Sequence, residues 1–175
     1  MTSHRVWVYG DNVNTDVIFP GKYTYTLRGE EEIRSKALED LDPNFVSNVQ
    51  VGDIIVAGHN WGNGSSREQA VTSLRYNGIQ MIIAASFGGL YFRNCINQGI
   101  RPVVNEELYH LLQTGDTIEV DTDEQVIRAA GQVFPLPRLS PSVEAILEAG
   151  GLVPMLQRQF TTPPLNPLPE AQGGD

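Results

Sequence analysis

Residues 53–104 read DIIVAGHNWGNGSSREQAVTSLRYNGIQMIIAASFGGLYFRNCINQGIRPVV. Three apolar runs in this stretch, at 53–57, 80–85 and 101–104, have the length of buried strands rather than of helices. Between them lie segments of helical composition, 66–77 and 88–98, each followed by a glycine (Gly78, Gly99) suited to a helix stop. Strand–helix–strand–helix–strand at this spacing predicts a parallel unit with right-handed crossovers, and hence an α/β domain.

The flanks are more β in character. Upstream, residues 5–9 (RVWVY) alternate and predict a first strand. A polar turn and a short apolar segment follow, GDNVNTDVIFPGKY, stopped by Pro20-Gly21. Residues 24–32 (TYTLRGEEE) are polar and centred on a glycine, which predicts a mobile loop; residues 30–41 have helical composition ended by Asp42-Pro43. Downstream, 106–113 predicts a short helix, 117–120, 126–130 and 133–134 predict antiparallel strands, and 140–149 a helix ended by Gly150-Gly151. The expectation is a layered α/β domain over residues 1–160 rather than a fully doubly wound sheet. Residues 161–175 (TTPPLNPLPEAQGGD) carry no helical or strand period and predict a disordered, proline-rich tail.

The composition narrows the function. A chain of 175 residues, 41% hydrophobic, is long enough for one domain with a proper core. A net charge of −9 argues against generic binding to nucleic acid or to an anionic membrane, but leaves room for a local anion site. There is no signal-peptide pattern and no apolar run long enough to span a bilayer, so a soluble cytoplasmic protein is expected. Cys95 is the lone cysteine, and His4, His59 and His110 are scattered without ligand spacing. A disulfide framework, a self-contained iron–sulfur site and a cysteine-rich zinc site are therefore not expected in this chain.

The junction between the first middle strand and its helix, Gly58–Ala70 (GHNWGNGSSREQA), carries the chemistry. A Rossmann fingerprint needs a glycine where Arg67 stands, and a P-loop needs Gly-Lys-Ser/Thr; neither is present. A capping box, with Ser65 as N-cap and Glu68 three residues on, accounts for part of the stretch. It leaves Gly62, Gly64 and Arg67 unexplained, because a cap requires no such glycines and an arginine in a first helical turn opposes the dipole. A turn that grips a small carboxylate at a helix start accounts for all of them. No serine-hydrolase triad is readable, since Gly-x-Ser-x-Gly is absent. A serine acting as a base through its alkoxide needs a depressed pKa, and a nearby guanidinium is one available stabiliser. The second polar cluster, Asn12-Val13-Asn14-Thr15-Asp16, is ordinary turn chemistry when taken alone.

Taken together, these stretches resemble a known family. GDNVNTDVIFPGKY, VGDIIVAGHNWGNGSSREQA, IIAASFGGLYFRNCINQGI and EAILEAGGLVP occur, in this order, in the small subunits of 3-isopropylmalate dehydratases, the swivelling domain of the aconitase superfamily. The resemblance covers about residues 5–155. It implies a three-layered β/β/α swivelling domain, and a heterodimer or higher assembly with a large subunit that carries a [4Fe–4S] cluster. It implies a hydro-lyase reaction on a small dicarboxylate or tricarboxylate, converting 2-isopropylmalate to 3-isopropylmalate in leucine biosynthesis. By the same resemblance Ser65 is the base that removes the proton α to a carboxylate. Ser66 and Arg67 bind that carboxylate and hold the alkoxide beside Gly64. Thr15 and Asp16 orient them, with Asp16 paired to Arg67, and Arg28 is a substrate arginine. The chain departs from the usual pattern at Gln69, where histidine is common, and at His59, which takes no catalytic role. Arg93 and Asn94 line the cleft or the subunit interface, or serve a structural role on the helix surface. The loop at 23–30 is where the family sets side-chain preference, so homoaconitate, citramalate or citraconate, and 2,3-dimethylmalate stay open as substrates. So does a non-catalytic anion-binding module.

Overall fold

The computed structural model describes residues 1–65 and 67–161. The elements are β1 (Thr2–Val8), α1 (Thr15–Ile18), a 3-10 turn (Gly21–Tyr23), α2 (Glu30–Arg34), α3 (Phe45–Asn48), β2 (Ile54–Ala57), α4 (Gln69–Arg75), β3 (Met81–Ala84), α5 (Gly89–Asn97), β4 (Arg101–Val104), α6 (Glu106–Leu111), β5 (Thr117–Asp121), β6 (Val126–Ala129), β7 (Gln132–Pro135), α7 (Pro141–Glu148) and α8 (Leu152–Thr161). The strands form one seven-stranded sheet in the order β4-β3-β2-β1-β5-β6-β7.

The middle unit is parallel, as its pattern predicts: β1 pairs β2, β2 pairs β3, and β3 pairs β4, all in the same direction. From β1 outward on the other side the pairing is antiparallel through β5, β6 and β7. The change happens within β1. Its first half, Thr2 to Arg5, pairs with β5, and its second half, Val6 to Val8, with β2. The sheet therefore curls at β1, and its antiparallel half folds back under the parallel half.

Strand alternation separates two cores. On one face Trp7, Ile55, Ala57, Ile82 and Ala84 pack against Ile18, Ile33, Val71, Leu74, Tyr91 and Cys95 from the helices. On the other, Val6, Ile54, Val56, Met81 and Ile83 pack against Leu108 of α6 and against Ile118, Val120, Ile127 and Phe134 of the antiparallel strands. Helices, sheet and folded-back strands make three layers, the β/β/α arrangement expected.

Two local readings need correction. The helix expected over 30–41 stops at Arg34, because buried Leu38 takes a left-handed backbone (φ 55°) and donates its N–H to Ile18 O (2.8 Å). The capping box is absent. The helix begins at Gln69, Glu68 is its N-cap without a side-chain cap bond, and Ser65 and Arg67 precede the first turn. The Ser65 hydroxyl is engaged by Thr15 and Arg67, and the Glu68 carboxylate by Gln98. The helix expected over 140–149 is present as α7 and stops before Gly150-Gly151, and a further helix, α8, follows, since Pro154 falls in its first turn, where proline is tolerated. α8 is described as far as Thr161; the rest of the proline-rich stretch lies outside the described residues. Among the described residues no helix is long and apolar enough to cross a membrane.

Candidate active site

The two polar clusters meet beyond the carboxyl ends of β1 and β2, the usual place for a site in a parallel sheet. Backbone hydrogen bonds carry the strand pairing past the strands themselves. Asn12 N–H donates to His59 O (2.8 Å), Gly62 N–H to Val13 O (2.8 Å), and Thr15 N–H to Asn63 O (2.9 Å). The loop after β3 joins in, with Trp61 N–H donating to Ser86 O (3.0 Å) and Gly88 N–H to Trp61 O (2.9 Å). The site is therefore built on continuous pairing rather than on free loops.

Two of the junction glycines now have a cause. Gly62 sits at φ 75°, and a Cβ there would overlap the buried Tyr91 ring. Gly64 sits at φ 102°, a conformation that disfavours any side chain, with its α-carbon facing Thr15 Oγ1. These turns bring Ser65 back over α1.

Thr15, Asp16, Ser65 and Arg67 form one connected group. Ser65 Oγ accepts from Arg67 Nε (2.9 Å) and lies 3.1 Å from Thr15 Oγ1. Arg67 Nη1 donates to Thr24 Oγ1 (3.1 Å), and Nη2 is ion-paired with the Asp16 carboxylate. Thr15 is buried, its place fixed by α1, whose N-terminus is capped by Asn14 Oδ1 accepting from Val17 N–H (3.0 Å). Arg67 is mostly buried, whereas Ser65 and Asp16 face solvent. A serine oxygen that meets a guanidinium N–H and a hydroxyl at once can hold negative charge, and the guanidinium beside it can hold a carboxylate.

Other expected residues lie elsewhere. The Arg28 side chain is exposed, and among the described residues its guanidinium makes no hydrogen bond; the structure does not bring it into the group. Ser66 lies outside the described residues. The His59 ring lies against Asp11 (Nδ1, 3.4 Å) and Glu106 (Nε2, 3.3 Å) rather than against Ser65 or Arg67. Its backbone N–H is the chief cause that holds the Asp11 carboxyl below the usual carboxylate range. Arg93 is exposed on α5 and Asn94 is half-buried. Cys95 is fully buried, and desolvation pushes its thiol pKa up. Among the described residues no group of histidine, cysteine, aspartate and glutamate is arranged to hold a metal ion.

Sequence reasoning missed two residues. Thr24 belongs to the stretch expected to be mobile, yet its side chain and carbonyl are both bonded, to Arg67 and to Gln69. Gly21, read only as a chain stop, lies flat against the Arg67–Asp16 pair. A glycine and a threonine closely following the Thr15-Asp16 motif are the only signal that points to them.

Comparison with known proteins adds the following. A sequence profile of the aconitase C-terminal domain matches residues 11–108, which contain both polar clusters. The chain is similar to the 3-isopropylmalate dehydratase small subunit of Lachnospira eligens, 38% identical over 156 residues that cover 89% of this chain and 94% of the relative. It is 41% identical to 3-isopropylmalate dehydratase small subunit 1 of Archaeoglobus fulgidus, covering 85% of this chain and 92% of that one. It is 40% identical to the homoaconitase small subunit of Thermus thermophilus, covering 85% and 91%. The crystal structure of a 3-isopropylmalate dehydratase from Methanocaldococcus jannaschii superposes with a TM-score of 0.82 at 38% identity, covering 90% of this chain and 94% of that one.

Proposed function

The chain belongs to the aconitase C-terminal domain family, and from that premise we propose that it is the small subunit of a 3-isopropylmalate dehydratase. The enzyme is a hydro-lyase that converts 2-isopropylmalate to 3-isopropylmalate by dehydration and rehydration at the neighbouring carbon, a step of leucine biosynthesis. The observation that carries the reading is the Ser65–Arg67–Thr15–Asp16 group at the ends of β1 and β2.

In this reading Ser65 is the base that takes the proton α to a substrate carboxylate. In its basic form the serine oxygen is an alkoxide, and the donors aimed at it are Arg67 Nε–H and the Thr15 hydroxyl. Asp16 holds the guanidinium through Nη2 and Thr24 through Nη1, which among the described residues leaves one N–H on each terminal nitrogen for the carboxylate. Gly64, without a side chain, leaves the approach to Ser65 open beside Thr15. Ser66 shares the carboxylate, and Arg28 takes a second one.

A [4Fe–4S] cluster does not fit this chain's donors. Cluster ligands are thiolates, and the sole thiol, Cys95, is buried with a raised pKa. The cluster is proposed on a large partner subunit, and no step here passes through it. Exposure of Ser65 and Asp16 supports such a partner, since an alkoxide base needs a site closed to water. A cytoplasmic location, with neither nucleic acid nor membrane as partner, is part of the same proposal; one buried cysteine gains nothing from an oxidising compartment.

The test is an anaerobic absorbance assay for the unsaturated diacid, with this chain, the cluster-bearing subunit from the same source, and each alone. Turnover of 2- and 3-isopropylmalate is expected only with both. Ser65→Ala should lower it by about 10²–10⁴-fold while the subunits still co-purify. Near-normal turnover by that variant removes the base assignment. The Thermus thermophilus relative makes homoaconitate the second reading, and citramalate and 2,3-dimethylmalate complete the panel. A verified complex that turns over none of them overturns the function and leaves a non-catalytic anion-binding module.

A further inference from the structure

The segment that begins at Gly21 is fastened to the Ser65–Arg67 group through one residue. Arg67 Nη1 donates to the Thr24 hydroxyl (3.1 Å), and Gln69 Nε2 donates to the Thr24 carbonyl (3.3 Å). The bonds reach Thr24 from residues on either side of Glu68, just ahead of α4 and in its first turn, and they grip both its side chain and its backbone. The turn before it is held from the other side. The Tyr23 ring meets Phe19 edge-on (6.2 Å) and lies under Lys22 (4.9 Å) and Lys36 (5.0 Å). Beyond Thr24, Tyr25 (86% exposed) and Arg28 face solvent, while Leu27 between them is half-buried against the helix-side core.

We propose that Thr24 and Gln69 are positioning residues: their bonds clamp the 21–28 loop onto Arg67. The orientation of the carboxylate-binding guanidinium and the placement of the loop's exposed side chains are thereby fixed together. Among the described residues, the N–H groups that Arg67 keeps for a ligand are those Thr24, Asp16 and Ser65 leave uncommitted, so losing the Thr24 bond leaves Nη1 without its anchor and the guanidinium held by Asp16 and Ser65 alone. Gln69 suits the task, because a neutral amide donates to a carbonyl without adding charge beside Arg67. The clamp stands on geometry; its kinetic consequence rests on the proposed function above.

Two variants and two readouts test it. Thr24→Val removes the hydroxyl at nearly constant shape, and Gln69→Leu removes the amide donor. Trypsin has sites on the loop at Lys22 and Arg28, both exposed, so limited digestion of the full chain reports release of the loop without any turnover. Gln69→Leu is expected to speed nicking after Arg28 by about fivefold, the factor for one lost neutral hydrogen bond, and Thr24→Val, which removes a bond from the charged guanidinium, by about tenfold or more. In the assembled enzyme KM should rise by a similar factor with a smaller change in kcat. Thr24→Ser should restore both, and melting curves should confirm that each variant is folded. Unchanged nicking in both variants overturns the clamp. Faster nicking with a wild-type KM overturns the positioning role. Faster nicking in variants of a complex that turns over no alkylmalate supports the clamp and overturns the proposed function instead.

Discussion

At Gly21 an added Cβ would stand 2.5 Å from Arg67 Nη1 and 2.8 Å from Asp16 Oδ1. The backbone there is not left-handed, so alanine fits the chain and offends only the ion pair. Gly21→Ala should therefore leave the melting temperature near wild type and push the guanidinium off Ser65. Displacing a catalytic group by about 1 Å costs on the order of 10²-fold in rate. Turnover with the large subunit, set beside a thermal melt, checks this; a large stability loss with normal specific activity would refute it. The same residue shows what a linear reading reaches. Ser65 and Arg67 stood out in the Gly58–Ala70 junction itself, whereas Thr15 and Asp16, ordinary turn chemistry when taken alone, were singled out only by the resemblance. Gly21 and Thr24 were legible in neither way, because their role depends on a turn folding back onto an arginine more than forty positions away.

The element that brings Thr15 and Asp16 to the site is α1, which spans only four residues. So short a helix has little internal bonding, and its side-chain cap is a large share of what holds it. Asn14→Ala is expected to cost about 1 kcal/mol in urea unfolding and to reduce turnover further than that loss of folded protein explains. Equal losses in both would mean that α1 tolerates its missing cap. Legibility at this scale followed length and burial. The central strands were readable because apolar runs of four, buried on both faces, leave no helical alternative. The end of α2 was not, since the left-handed backbone of Leu38 is set by packing against Ile18 rather than by any breaker residue. Nor was α8, whose glycines and proline read locally as a stop.

Across the whole molecule, Asp53 ties β1 to the entrance of β2. Burial by itself raises its pKa, but bonds from Arg5 (2.6 Å), Trp7 Nε1 (2.8 Å) and Gln50 N–H (3.0 Å) outweigh this and hold the carboxyl below its usual range. A depressed folded pKa contributes stability that is present above the unfolded value, about 3.9, and is lost as pH falls through the folded one. Urea unfolding across pH should show wild-type stability declining below about pH 4. Asp53→Asn should be less stable at neutral pH and flatter across that acid range; an unchanged acid slope would assign the linkage to other carboxylates. The same strand carries a further consequence. β1 is made before every other strand of the sheet, yet one of its edges is closed by residues 117–120. During synthesis the parallel unit through β4 can assemble while Thr2 to Arg5 still offer unpaired backbone and the Val6 face still lacks its cover. The nascent protein thus passes through a stage with an open sheet edge, and the three antiparallel strands that arrive late are what end its exposure to wrong partners.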